Sequence, residues 1–357
     1  MRIKLIGDIA LNGLISEDAD KNETRFSTIQ ECLQADDLIF ANLESPAGDG
    51  IGFIENDKLH ISCSPEVLKK MLQKFNICCL SLANNHIFDY DKTGLKSTID
   101  ILDSIGILHT GAGCDERHIE PVLVIKGGVR IAFLAYVDQS THPDYKANEG
   151  LFLNIFQIDK VINEIDRIRN YADIVIFSIH WGVDYSHYPT VNQMEISREL
   201  IDAGADIIMG HHSHSAQPFE LYKGKYIFYG LGGLTYGDDF WNSELRALRK
   251  KTKFSFIPVI EYAGGMLKLK TGIETIELKG NYLKLSNRDY FKWSDRKLRE
   301  LKMANKCFIA RHLLSWKEYY FDKYIDYLFG YYRNPLRVLL KPMNYKRLFF
   351  KLLRKNI

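Results

Sequence analysis

One pattern recurs before residue 215 and restricts the fold more than any other feature of the chain. Short apolar runs, each long enough for one strand, stop at residues that can grip a cation. Residues 3–6 run into Gly7-Asp8, and residues 37–41 into Asn42-Leu43-Glu44. Residues 77–82 lead to Ala83-Asn84-Asn85-His86, followed by Asp89. Residues 173–179 lead to His180-Trp181-Gly182, and Ile207-Ile208-Met209 to Gly210 and then His211, His212 and His214. Runs of this length read as buried parallel strands. In an open α/β sheet, side chains at the carboxyl ends of such strands meet in a crevice. Gly210 is expected to stop its strand and let the backbone turn.

The intervening stretches carry helical signals. Ser64-Pro65-Glu66 opens a helix to about residue 75, with Pro65 at the first helical position. Helices are also expected near 25–34, 92–104, 156–171 and 192–203. Residues 121–125 and 129–136 form a hairpin around Lys126-Gly127-Gly128. Residues 219–222 and 226–229 pair around Lys223-Gly224-Lys225. Residues 45–62, rich in Gly and Asp, are an excursion flanking the crevice. Residues 230–233 are expected to be a mobile turn, and 252–261 and 266–278 to be edge strands.

A content of 46% hydrophobic and 26% charged residues is that of a globular protein with a sizeable core. Charge is unevenly spread: residues 288–357 hold 18 basic and 6 acidic side chains, against 29 and 39 before them. This predicts a body over 1–285 and a helical, basic extension over 286–357. From 331 to 357 there are eight basic and no acidic residues, interleaved with Val338, Leu339, Leu348, Phe349 and Phe350. Such a stretch suits an amphipathic helix lying on a membrane surface. It equally suits docking on the body or on a second subunit. No nucleic-acid-binding motif is present, so nucleic acid is not an expected partner. Six cysteines without a CxxC pair read as small buried residues in a reducing compartment. With no leader-like or 18-residue apolar run, the expected location is the cytoplasm or the inner face of its membrane.

Singly, each strand-end residue has an ordinary explanation: Asp8 and Glu44 as helix caps, Asn85 in a left-handed turn, His180 as a core histidine. Jointly they form a mixed oxygen and nitrogen donor set without thiolate, which suits Mn, Zn or Fe. A dinuclear centre needs about seven or eight protein ligands, one of them a bridging carboxylate. A nucleotide-binding domain would instead need a Gly-rich phosphate loop after the first strand. The segment from Gly7 to Gly13 does not supply one.

The segments GDIAL (7–11), ANLESP (41–46), SLANNHIFDY (81–90), SIHWGVDY (178–185) and GHHSHSAQ (210–217) resemble the calcineurin-like metallophosphoesterase superfamily. More closely they resemble its capsule-synthesis CapA group, named for poly-γ-glutamate capsule formation. The resemblance implies an α/β fold, a four-layer α-β-β-α sandwich of metallophosphatase type. It implies two divalent metal ions. Asp8 and His214 would bind the first, Asn85, His180 and His212 the second, and Glu44 would bridge them. His86 would donate a proton to the leaving oxygen, oriented by Asp89. Ala10 stands where the superfamily usually has a further ligand, and His211 and Ser213 stand where this group more often has Ser and Pro. The implied function is phosphoesterase-like hydrolysis in the biosynthesis of a surface polymer. The substrate would be an anionic polymer or phosphoester, and a capsule synthase or export complex the partner. The alternative is a non-catalytic, metal-binding accessory protein of such a complex.

Overall fold

The computed structural model describes residues 1–13, 26–27, 29–33, 36–48, 53–55, 58–143, 150–235, 239–241, 244–246, 254–270, 274–279, 282–286 and 289–304. Its strands of interest are β1 (Arg2–Ile9), β2 (Leu38–Leu43), β3 (Cys79–Ser81), β4 (Leu108–Thr110), β5 (Val122–Lys126) and β6 (Val129–Val137). They continue with β7 (Ile174–His180), β8 (Ile207–His211), β9 (Phe219–Tyr222), β10 (Lys225–Phe228), β11 (Val259–Ala263) and β12 (Met266–Leu269). The helices are α1 (Pro65–Lys74), α2 (Asp91–Ser104), α3 (Ile158–Arg169), α4 (Val191–Asp202) and α5 (Tyr290–Ala304).

Two six-stranded sheets dominate, ordered β12-β11-β1-β2-β3-β4 and β9-β10-β8-β7-β6-β5. Strands β1 to β4 are parallel to one another, as are β6, β7, β8 and β10. The hairpin strands β5, β9, β11 and β12 are antiparallel, and β5, β9 and β12 lie at the edges.

Alternation along the strands builds the layers. On β6, Ile131, Phe133, Ala135 and Val137 join the core between the sheets, while Ala132, Leu134 and Tyr136 face the other way. That second face packs against Val161, Ile165 and Ile168 of α3 and Leu200 and Ile201 of α4. On the far side, Leu68, Met71 and Leu72 of α1 and Leu95 and Leu102 of α2 cover the first sheet. Phe40 of β2 meets Phe133 of β6 at 5.2 Å between ring centroids, joining the sheets directly. The result is a helix-sheet-sheet-helix sandwich. The same parity turns His180 toward the inter-sheet space, because it follows Ile174 and Ile176 at intervals of two.

The helix start expected at Ser64-Pro65 is present. The Ser64 side chain accepts from the Val67 amide at the start of α1, and Thr190 and Gln193 form a capping box on α4. Residues 26–27 and 29–32 are helical.

Four local expectations are corrected. Gly210 lies inside β8, and the turn comes later, at His212. Gly210 is there for close approach, because a Cβ would stand 2.0 Å from the Tyr229 carbonyl oxygen. Residues 230–233 are not a mobile turn. Leu231 is buried, the Asp8 amide donates to the Gly232 carbonyl at 3.0 Å, and the Leu234 amide donates to the Asp8 carbonyl at 2.8 Å. Residues 252–261 are not one strand, since Pro258 ends the ladder. Phe254–Ile257 pairs with Glu274–Lys279 in a small separate sheet, whereas β11 pairs with β1. Residues 266–278 likewise divide, into β12 and Glu274–Lys279.

Helix α5 packs on the body. The Tyr290 ring stacks on Phe256 at 3.7 Å, and its hydroxyl donates to the Gln217 carbonyl at 2.6 Å. Among the described residues no helix is long and apolar enough to cross a membrane. The basic stretch 331–357 lies outside the described residues.

Candidate metal centre

Parallel register brings the strand ends level. Asp8 stands beside Asn42 across β1 and β2, and His180 beside His211 across β7 and β8. The sheets then face these ends toward one another. Asp8 Oδ1 lies 3.1 Å from His211 Nδ1 and 4.0 Å from His180 Nδ1. Its other oxygen, Oδ2, lies 3.4 Å from His214 Nδ1. Glu44 reaches both halves of the cluster: Oε1 is 3.7 Å from His180 Nε2, and Oε2 is 3.7 Å from His214 Nδ1. Asn85 Oδ1 is 2.7 Å from His180 Nε2, which is 3.2 Å from His212 Nδ1. Asp8, Glu44, Asn85, His180, His212 and His214 are therefore brought together, and all are buried.

The two histidines on the last loop are held by an unusual backbone. His212 and His214 have φ of 82° and 51°, a left-handed region that costs a non-glycine residue about 1 kcal/mol or more. Asp8 helps to hold it, since its Oδ2 accepts from the His212 amide at 3.1 Å. One carboxylate thus both faces the cage and shapes the loop that supplies two other members.

His86 sits at the rim. Its Nδ1 is 2.7 Å from Asp89 Oδ2, its Nε2 is 3.9 Å from Glu44 Oε1, and its amide donates to Asn84 Oδ1 at 3.0 Å. Asp89 also accepts from the Ile61 amide at 2.7 Å, so the excursion before α1 braces the pair.

Electrostatics follow from burial and crowding. Burial pushes the Asp8 carboxyl up, but the hydrogen bonds from His211 and His214 outweigh it and hold the group well below its usual value. Burial drives His180 well below the ordinary imidazole value and lowers His212, favouring neutral rings with one acceptor nitrogen each. Burial also lowers His214, but Glu44, Asp8 and Asp184 prevail and push it up to about 9. Three carboxylates thus demand positive charge at one point. The ligand atoms of Asp8, Glu44 and His214 all lie within 4.8 Å of one another. Donors at bonds of about 2.1 Å stand about 3.4 Å apart in a tetrahedral site, so this oxygen and nitrogen set fits a divalent cation.

Ala10 is buried and brings no donor, and the nearest imidazole to Asp8 is His211 instead. Two residues escaped the sequence reading. Asn42 donates to Asp8 Oδ1 at 2.9 Å; the sequence placed it at a strand end, two positions before Glu44, but gave it no role. Asp184 lies 3.4 Å from His212 Nε2 on the loop after β7, where no periodicity marks it.

The profile of the bacterial capsule synthesis protein family PGA_cap matches residues 2–237, a span that holds every residue of the cage. The chain belongs to the PGA_cap family. Relatives include the capsule biosynthesis protein CapA of Bacillus anthracis, 30% identical over 251 residues, which are 68% of this chain and 61% of that protein. The PGA biosynthesis protein CapA of Bacillus subtilis is 30% identical over 243 residues, 66% of this chain and 63% of that protein. The matches therefore span less than two thirds of those PGA_cap relatives. Among solved structures, a calcineurin-like phosphoesterase of Bacillus subtilis is similar over 84% of this chain and 97% of its own, at 17% identity and a TM-score of 0.46.

Proposed function

We propose that this chain is a metal-dependent, phosphoesterase-like hydrolase with a dinuclear centre, acting in the biosynthesis of a surface polymer of the poly-γ-glutamate type. The observation that carries the reading is Glu44, whose two oxygens address two different nitrogen donors, His180 and His214, each at 3.7 Å. A carboxylate so placed is the bridging ligand a two-cation site requires. Asp8 and His214 would hold the first cation, and Asn85, His180 and His212 the second. When bound, the pair supplies Lewis-acid polarisation of a phosphoryl oxygen and acidifies bound water. His86 presents Nε2 to the cage, where it can give a proton to the leaving oxygen. Asp89 fixes the ring by holding Nδ1 at 2.7 Å.

Ala10 favours a second reading, because the first cation has fewer protein ligands there. In it, the chain is a non-catalytic accessory protein whose cage grips the anionic polymer through its cations. In either reading a synthase or export complex is the partner, and the stretch 331–357 contacts the inner membrane face or docks on protein.

The experiment is turnover of a generic aryl phosphodiester by Mn-loaded protein. Turnover lost in the double change His212→Ala/His214→Ala supports the enzyme. No turnover, or turnover that survives the double change, rejects it in favour of the accessory role.

A further inference from the structure

The cage has a second, outward-facing set of donors. His212 and His214 direct Nδ1 inward, toward His180 at 3.2 Å and Asp8 at 3.4 Å. Their opposite nitrogens address Asp184. Its Oδ1 is 3.4 Å from His212 Nε2 and 3.9 Å from His214 Nε2, and the three ligand atoms lie within 4.8 Å of one another. We infer that Asp184, His212 and His214 form a cation site at the mouth, which captures a divalent ion and competes with the inner cage for the two imidazoles. The inference borrows from the proposed function only its inner neighbour.

The backbone builds this trio. Tyr185, next to Asp184, has φ of 61°, and its amide donates to the Ser213 carbonyl at 2.7 Å. Ser213 lies between the two histidines. One hydrogen bond therefore pins the loop after β7 to the loop after β8, with left-handed residues at Tyr185, His212 and His214. Conformations of that cost persist only where the surroundings over-determine them, and they gather at functional sites. Asp184 keeps 35% of its side-chain exposure, while His212 and His214 keep 8% each. The carboxylate is thus the member that solvent reaches first.

Chemistry sets the ion and the competition. Two imidazoles and a carboxylate suit Zn or Mn and leave a coordination position open to water or to an anionic oxygen. A neutral imidazole has one acceptor nitrogen. A ring that binds the mouth cation through Nε2 therefore carries its proton on Nδ1 and leaves the inner cage. The mouth site is a station from which an ion passes inward as the rings exchange tautomers.

The test uses Zn(II) alone as the probe, with folding checked by thermal melts. In the background Asp8→Asn/Glu44→Gln, which strips the inner carboxylates, equilibrium dialysis with elemental analysis should still find one Zn per chain. Adding Asp184→Ala should weaken that site at least tenfold, and Asp184→Glu should retain it. In the otherwise unaltered chain, Asp184→Ala should slow Zn uptake from a chromophoric chelator at least tenfold. Zn binding and uptake indifferent to Asp184 would overturn the inference and leave the inner cage standing. Unchanged stoichiometry and affinity in Asp8→Asn/Glu44→Gln, lost on Asp184→Ala, would uphold it and count against the inner cage. An unaltered chain that takes up no Zn would reject both.

Discussion

His86 Nδ1 and Asp89 Oδ2 stand 2.7 Å apart, three residues from each other on the turn that leads from β3 into α2. Asp89 accepts from the Ile61 amide as well, so the carboxylate is fixed from two sides and fixes the ring in turn. If His86 is the proton donor, His86→Ala should lower kcat by about 10²–10⁴-fold with little change in KM. Asp89→Asn should cost less, because it loosens the ring without removing it. Steady-state kinetics measure both. An unaltered kcat in Asp89→Asn would remove Asp89 from the role.

Glu44 joins the two halves of the cage. Glu44→Gln keeps its shape but removes its charge toward His180 and His214. Elemental analysis of protein dialysed against Mn should fall from two ions per chain to one or none. Two ions retained would show that no bridging carboxylate is needed.

Gly7 lies under the loop that carries Gly232. A Cβ there would stand 1.9 Å from the Gly232 carbonyl oxygen, the acceptor of the Asp8 amide. Gly7→Ala should therefore destabilise the fold by about 3 kcal/mol or more, at the upper end of overpacking costs. Urea denaturation gives the value. A loss under about 1 kcal/mol would mean that the loop gives way freely.

His109 on β4 supplies a pH test away from the cage. Burial lowers it to about 4, although Asp103 opposes this. The unfolded chain takes up a proton below about 6.5 while the folded chain stays neutral. Its share of stability is present above pH 6.5 and is lost as pH falls toward 4, by at most about 3 kcal/mol. Denaturation series at pH 7 and pH 4.5 should differ less in His109→Gln than in the unaltered chain. An equal difference would assign the acid sensitivity elsewhere.

The stretch 331–357, with eight basic residues and no acidic ones, gives a vesicle prediction. Each cation near an anionic surface is worth about 1 kcal/mol. Truncation at residue 330 should release the protein from anionic vesicles in a sedimentation assay while metal content is unchanged. Binding that persists would favour docking on protein.

Much was legible in the chain alone. The parallel strands, their terminal ligand-type residues and the helices between them follow from local periodicity and caps. Such signals are carried within about ten residues of sequence. Register and parity then bring Asp8, Glu44, Asn85, His180, His212 and His214 into one crevice.

The tertiary structure alone decided what depends on contacts across the fold. Which nitrogen of His212 and His214 faces inward is set by Asp8, His180 and Glu44 from other strands. The roles of Asn42 and Asp184 became visible only when their neighbours arrived from β1 and from the loop after β8. Gly210 looked like a strand breaker because a glycine's freedom is local, whereas its duty toward the Tyr229 carbonyl is not. Residues 230–233 looked mobile for the same reason: composition reports what a backbone can do, and only packing reports what holds it still.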